Sequence, residues 1–216
     1  LTGPPGVGKT RLAIAVARAA ASRFPDGVAF VDLTDVRDPR LVAAAVLEAT
    51  GSADVGTAEA ADQLARALGD RTMLLVVDNV EHLLDAGPVL AAALAGAPGL
   101  ALLVTSRERL HLRAEREIPV RPLGLPGDGD LDGPTTAPAV EMLVQCVRRF
   151  DPEFTVTRDN RAALTEICAR LDGLPLGLEL AAARLKLFTP GELTFRLRHR
   201  LSILINTARD IPQRHR

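Results

Sequence analysis

The chain has 216 residues, 47% hydrophobic and 25% charged, with a formal net charge of −1. That length suits one full domain with a smaller appendage, and the composition supports a buried core while excluding a collagenous, mucin-like or wholly disordered chain. The near-neutral charge gives no overall field for nucleic acid or anionic membrane, no apolar run reaches the ~20 residues of a membrane span, and no secretory leader pattern opens the chain.

In chain order, Gly3-Pro4-Pro5-Gly6-Val7-Gly8-Lys9-Thr10 comes first, with an amphipathic helix expected over Arg11–Phe24. Gly27–Leu33 reads as a buried strand. Asp38-Pro39 opens a helix, with Asp as N-cap and Pro at the first helical position, ending near Gly51. Thr57–Leu68 reads as a helix, Thr72–Val77 as a continuous apolar strand ending at Asp78, and Glu81–Leu94 as a helix. Leu100–Val104 is a further buried strand, followed by a short edge strand at Ile118-Pro119-Val120, since Pro119 cannot donate to a central ladder. Continuous apolar strands alternating with helices predict a parallel sheet covered on both faces.

After Leu123 the period changes. Residues 124–138 are rich in Gly, Pro and Asp and read as a linker or mobile loop. Beyond them, Val140–Phe150, Asn160–Leu171, Leu176–Leu187 and Glu192–Leu204 all read as helices, the last opened by a Thr189-Pro190-Gly191-Glu192 capping box. The expected organisation is an α/β domain over 1–123, a linker over 124–138 and an all-helical subdomain over 139–216.

The first motif carries the sharpest chemistry. It satisfies G-x-x-x-x-G-K-[ST] in full and runs into a helix. Glycines there let backbone N–H groups curl around a phosphate, and the helix N-terminus adds positive potential. Lys9, one of only two lysines in the chain, would reach the β- and γ-phosphates, and the Thr10 hydroxyl would ligate Mg²⁺. Asp78, at the end of an apolar strand, would face the loop and hold Mg²⁺ directly or through water; the plainer alternative is a helix-initiating aspartate. Glu81 could serve as a general base, but stabilising the first turn of the next helix is the preferred explanation. Arg107, in Thr105-Ser106-Arg107, would sense a third phosphate, against the alternative of a solvated loop arginine.

Other features are weaker. Cys146 and Cys168 are too few for a disulfide framework, which points to a reducing, cytoplasmic setting, and both lie on apolar helical faces as core residues. The histidines His82, His111, His199 and His215 lack metal spacing. The basic groups around Arg196–Arg200 and Arg214–Arg216 read as solvated faces, without the interleaved aromatics of a nucleic-acid site.

Taken together, GPPGVGKTRLA, LLVVDNVEHLL, LLVTSRERL, ICARLDGLPLGLELAAARL and the terminal RHR resemble the STAND class of P-loop ATPases, which is NB-ARC-like. More closely, the set is similar to the ATPase domain of large bacterial LuxR-type and SARP/AfsR-like transcriptional regulators. The resemblance implies a P-loop sheet of strand order 5-1-4-3-2, with its first strand truncated before Gly3, followed by a helical domain. It implies an ATP/ADP switch with Mg²⁺, closed with ADP and opened by ATP, often with homo-oligomerisation. Nucleotide contacts would come from Gly3, Pro4, Pro5, Gly6, Val7, Gly8, Lys9, Thr10 and Arg11, with Pro175 on the adenine or ribose side. A winged helix, sensor repeats and a DNA-binding domain would lie outside this segment. Asn79 departs from the pattern, standing where relatives carry a second acid, so hydrolysis should be slow at most. The alternative function is a P-loop enzyme with sustained ATPase or kinase turnover. Direct DNA binding by this segment is disfavoured by its charge.

Overall fold

A computed structural model describes residues 1–52, 59–127 and 137–199. The start of the expected Thr57 helix, the acidic residues Asp128, Asp130 and Asp132, and everything from Arg200 onward lie outside the described residues. The chain divides into two compact units, Leu1–Val120 and Arg121–Arg216.

The first unit is built on three parallel strands among the described residues: β1 (Val28–Asp32), β2 (Met73–Asp78) and β3 (Leu100–Val104), in the order β1-β2-β3. Asp32 pairs in register with Asp78, and Val77 with Val104. Every residue of β2 is buried, which explains its unbroken apolar run. Successive strand side chains point to opposite faces. Met73, Leu75 and Val77 therefore join one core, with α2 (Val42–Ala49), α3 (Ala60–Leu68) and α4 (Gly87–Gly96). Leu74 and Val76 join another, with Ala13 and Ala17 of α1 (Lys9–Ala20). On β1, Ala29 and Val31 are buried while Val28 and Phe30 are exposed, because α1 packs on β2 and leaves that side of β1 open.

Several element ends differ from expectation for local reasons. The Asp38 side chain does cap, accepting the N–H of Arg40, but the first turn, Pro39–Leu41, is 3-10 before α2 begins. Glu81–Leu94 is not one helix. Two 3-10 turns, Val80–His82 and Leu84–Ala86, precede α4, which starts at Gly87-Pro88. Leu83 between them is non-helical, and Pro88 is placed where its missing N–H costs nothing. At Ile118-Pro119-Val120 the pairing is a single parallel bridge between Pro119 and Thr2, and Thr2 also bridges to Ser106.

The second unit holds α5 (Pro138–Arg148), α6 (Arg158–Arg170), α7 (Pro175–Arg184) and α8 (Pro190–His199) around one apolar core that contains both cysteines. Burial pushes the Cys168 thiol up to about 12, as suits an inert core residue. The division falls slightly before Leu123 because the backbone there is tied to the helices. Leu123 N–H donates to the Gly173 carbonyl at 3.0 Å, and Ala139 N–H to that of Gly124 at 3.1 Å. The capping box at the start of α8 is present, with Thr189 N–H on Glu192 Oε2 at 2.8 Å and Glu192 N–H on Thr189 Oγ1 at 3.3 Å. No described helix is long and apolar enough to cross a membrane.

Glu166 of α6 ties down α8. Its Oε1 accepts from Arg198 Nε at 2.7 Å and Arg170 Nε at 2.8 Å, and its Oε2 accepts from Arg198 Nη2. The hydrogen-bonded Arg198 guanidinium, helped by Arg170, holds the Glu166 carboxyl at about 2 instead of its ordinary 4.5. A depressed carboxyl adds stability that is complete above the unfolded value and lost as pH falls through the folded one. The expected result is that part of this chain's acid-induced loss of urea stability, between pH 4.5 and about 2, disappears in Glu166→Gln. The effect is small because the pair is solvent-screened, and equal pH profiles for the two proteins would contradict it.

Candidate functional site

The glycine-rich loop adopts a conformation that its sequence requires. Gly3, Gly6 and Gly8 have φ of +149°, +77° and +95°. Side chains other than glycine's rarely tolerate such values. At Gly3 a Cβ would also lie 2.6 Å from the Val120 carbonyl oxygen. Gly8 forms the N-cap of α1 in the left-handed region and supplies no capping side chain, and the first turn of α1 contains no acidic residue to oppose an anion. Val7 is buried and anchors the loop. The Lys9 ammonium folds back over the loop, donating to the Gly3 carbonyl at 2.8 Å and the Pro4 carbonyl at 3.2 Å.

Asp78 lies 3% exposed at the C-terminal end of β2. Its Oδ1 accepts the Thr10 hydroxyl at 2.7 Å and the Thr105 hydroxyl at 2.5 Å. Thr105 in turn accepts the Asn79 N–H on Oγ1 at 3.0 Å, and its carbonyl accepts the Val80 N–H at 3.1 Å. One carboxylate thus joins the first turn of α1 to the ends of two adjacent strands. A buried carboxylate with hydroxyl oxygens beside it is a hard-oxygen set that fits a divalent cation such as Mg²⁺. Among the described residues there is no cluster of three or more His, Cys, Asp or Glu that would make a separate metal centre.

Arg107 and Glu81 are paired. Arg107 Nε donates to Glu81 Oε1 at 2.9 Å. The Glu81 side chain is only 14% exposed and that of Arg107 is 52% exposed. Glu81 therefore lies in a 3-10 turn facing an arginine, and does not stabilise the first turn of an α-helix. Asn79 has φ 69° and ψ 50°. Asn enters the left-handed region more readily than most residues, so its identity answers a backbone requirement at this strand exit.

The structure thus brings Lys9, Thr10 and Asp78 together in the first unit and pairs Glu81 with Arg107. Arg11 lies exposed on α1. Pro175 belongs to the second unit, where it opens α7 after Asp172 and Gly173, both at positive φ. Sequence reasoning missed the role of the Thr105 hydroxyl. The signal was available: parallel strands end side by side at a phosphate-loop site, so a hydroxyl residue closing one strand can meet the acid closing its neighbour.

A family model described as AAA domain matches residues 1–111. Over 218 residues the chain is 41% identical to a protein of Mycobacterium tuberculosis named as an HTH-type transcriptional regulator, covering 99% of this chain and 23% of that one. It is 32% identical over 193 residues to the regulatory protein AfsR of Streptomyces coelicolor, covering 86% of this chain and 18% of AfsR. The chain therefore spans less than a quarter of the length of these regulators. A chain from the structure of Drosophila ORC bound to DNA matches it with a TM-score of 0.58 at 15% identity, covering 98% of this chain and 63% of that chain. That likeness is one of fold, a P-loop NTPase-like α/β arrangement of parallel sheet and helices.

The Thr105 hydroxyl is both acceptor and donor in a buried place, so its loss leaves the Asn79 N–H and Asp78 short of a partner. Thr105→Val should cost about 1–3 kcal/mol in urea denaturation, while Thr105→Ser should retain most of the stability. A smaller loss in Thr105→Val than in Thr105→Ser would assign the effect to packing of the methyl group instead of to the hydroxyl.

Proposed function

This chain belongs to the AAA domain family, and from that membership we propose that it is the Mg²⁺-dependent ATP/ADP-binding switch module of a longer bacterial transcriptional regulator, of the STAND (NB-ARC-like) type. The observation that carries the reading is the Asp78 carboxylate, buried and bonded to the hydroxyl of Thr10 directly behind the glycine-rich loop. The fit to a nucleotide rests on chemistry already in place: left-handed glycines, a helix N-terminus free of acids, an ammonium poised on the loop and a hard-oxygen pair.

In this reading the backbone from Gly3 to Thr10 holds the phosphates, and Lys9 exchanges its two carbonyl partners for phosphate oxygens, a stronger charge-assisted contact. Thr10 and Asp78 hold Mg²⁺. A hydroxyl carries lone pairs as well as a proton, so Thr10 can serve as donor to Asp78 or as metal ligand. The bound cation supplies neutralisation of phosphate charge. Arg107 senses the third phosphate and Arg11 flanks the loop. The bridges of Thr2 to Ser106 and to Pro119 are consistent with strand order 5-1-4-3-2, with Leu1-Thr2 as the end of the central strand.

A switch is favoured over an enzyme with sustained ATPase or kinase turnover for two reasons. Asn79 stands where a second acid would activate water, and the next acid after it, Glu81, is engaged by Arg107. Hydrolysis, if coupled, would be slow and would serve to reset the conformation. In this reading DNA binding, a winged helix and sensor repeats reside in other domains of a cytoplasmic parent, with nucleotide-dependent homo-oligomerisation as output.

Isothermal titration tests the site. Lys9→Ala should weaken MgATP and MgADP binding by about 10–100-fold, the worth of a charged hydrogen bond. Asp78→Asn should weaken ATP binding in Mg²⁺ much more than in EDTA. Unchanged affinity in Lys9→Ala would overturn the phosphate-loop assignment, and equal losses with and without Mg²⁺ would leave Asp78 a structural residue only.

A further inference from the structure

We propose that Glu81 is a latch for Arg107: its carboxylate holds the guanidinium at the exit of β3 until a third phosphate competes for it, and so sets the preference of the site between ATP and ADP. The inference rests on the nucleotide-switch reading and deepens it. Glu81 is in this account a positioning residue and not a general base.

The pair is asymmetric. The Glu81 side chain is largely buried and that of Arg107 about half exposed. Glu81 Oε2 is buried and has no hydrogen-bond partner among the described residues, and Glu81 Oε1 accepts from Arg107 Nε at 2.9 Å. The turn that carries Glu81 is also fixed. Its residue Val80 donates to the Thr105 carbonyl, and Asn79 to the Thr105 hydroxyl. Arg107 leaves the chain two residues after that same threonine. The two side chains thus spring from one hydrogen-bonded junction, which also holds Asp78 through Thr105.

From this follows a preference. A guanidinium moved from one oxyanion to another loses little, because its planar fork suits carboxylate and phosphate alike. A buried carboxylate that loses its cation keeps the full penalty of an uncompensated charge. Diphosphate leaves the latch closed. Triphosphate must draw Arg107 away and leave Glu81 unpaired, so part of the binding energy of the third phosphate is spent on opening the latch. The site is biased toward ADP by a residue that touches neither nucleotide.

The test uses the parent regulator, with Glu81→Gln, Arg107→Ala and the double variant. Without nucleotide, the Arg107 Nε–H resonance should be protected from solvent exchange in the parent and lose that protection in Glu81→Gln. With nucleotide, Glu81→Gln should raise the MgATP-to-MgADP affinity ratio about tenfold, and the same change in the Arg107→Ala background should leave the ratio unaltered. A ratio unchanged or lowered by Glu81→Gln overturns the latch, as does an equal rise when Arg107 is absent. Should Glu81→Gln fold poorly, Glu81→Asp withdraws the carboxylate by one methylene and should shift the ratio in the same direction; no shift there overturns the proposal too. Failure of the underlying reading looks different: the parent binds neither nucleotide, while the protected Arg107 resonance and its loss in Glu81→Gln persist.

Discussion

A carboxylate buried at the end of the central described strand is the constraint from which the site follows. Asp78 is in low-dielectric surroundings because β2 has a strand on each side and helices over both faces. A charge in such a place is costly unless it is bonded. Here the bonds come from two hydroxyls, Thr10 on the helix behind the loop and Thr105 on the neighbouring strand. Satisfying Asp78 therefore fixes the position of the loop relative to the sheet. Hydroxyl partners, unlike a cationic one, leave the net negative charge in place for a divalent cation.

The same threonine extends the constraint outward. Through Asn79 and Val80 it sets the exit of β2, and two residues later the chain places Arg107 against Glu81. Two layers result: an inner one of Lys9, Thr10 and Asp78, and an outer Arg107–Glu81 ion pair, which in the proposed reading a third phosphate would disturb. Under the proposed function, such an arrangement would hold nucleotide and respond to its third phosphate, which is what a switch requires and fast turnover does not. The second unit is stabilised by separate means, an apolar core with capped helix starts and the Glu166 anchor.

Much of this was legible in the sequence where a local rule decides. The loop was legible because Gly3, Gly8, Lys9 and Thr10 stand where the phosphate-loop pattern demands them, and Gly3 and Gly8 take φ values of +149° and +95° that other residues rarely adopt. The run from Thr72 to Val77 reads as a strand because burial on both faces removes polar alternation, and Leu100–Val104 reads the same way although only Leu100 of β3 is fully buried. The start of α8 is legible from Pro190, a proline at the first helical position, whereas α5 and α7 begin earlier than the expected Val140 and Leu176, at Pro138, which falls within the expected linker, and at Pro175. What was not legible depends on tertiary approach. Glu81 and Arg107 are far apart in sequence and meet only because β2 and β3 end side by side. The stretch from Glu81 to Leu94 has helical composition, but Val80 and Leu83 are drawn into the core and the chain turns twice before α4 can begin. Asn79 read as a missing acid, whereas its left-handed backbone explains the residue directly.

The account turns on slow-exchanging nucleotide held behind Lys9 and Asp78. The measurement that tests it most directly is the nucleotide released when the purified parent regulator is denatured and its extract analysed by chromatography. The account predicts ADP at close to one per chain. A parent that is well folded and carries no nucleotide would contradict it, and would point instead to a site that binds and turns over ATP as an ordinary P-loop enzyme.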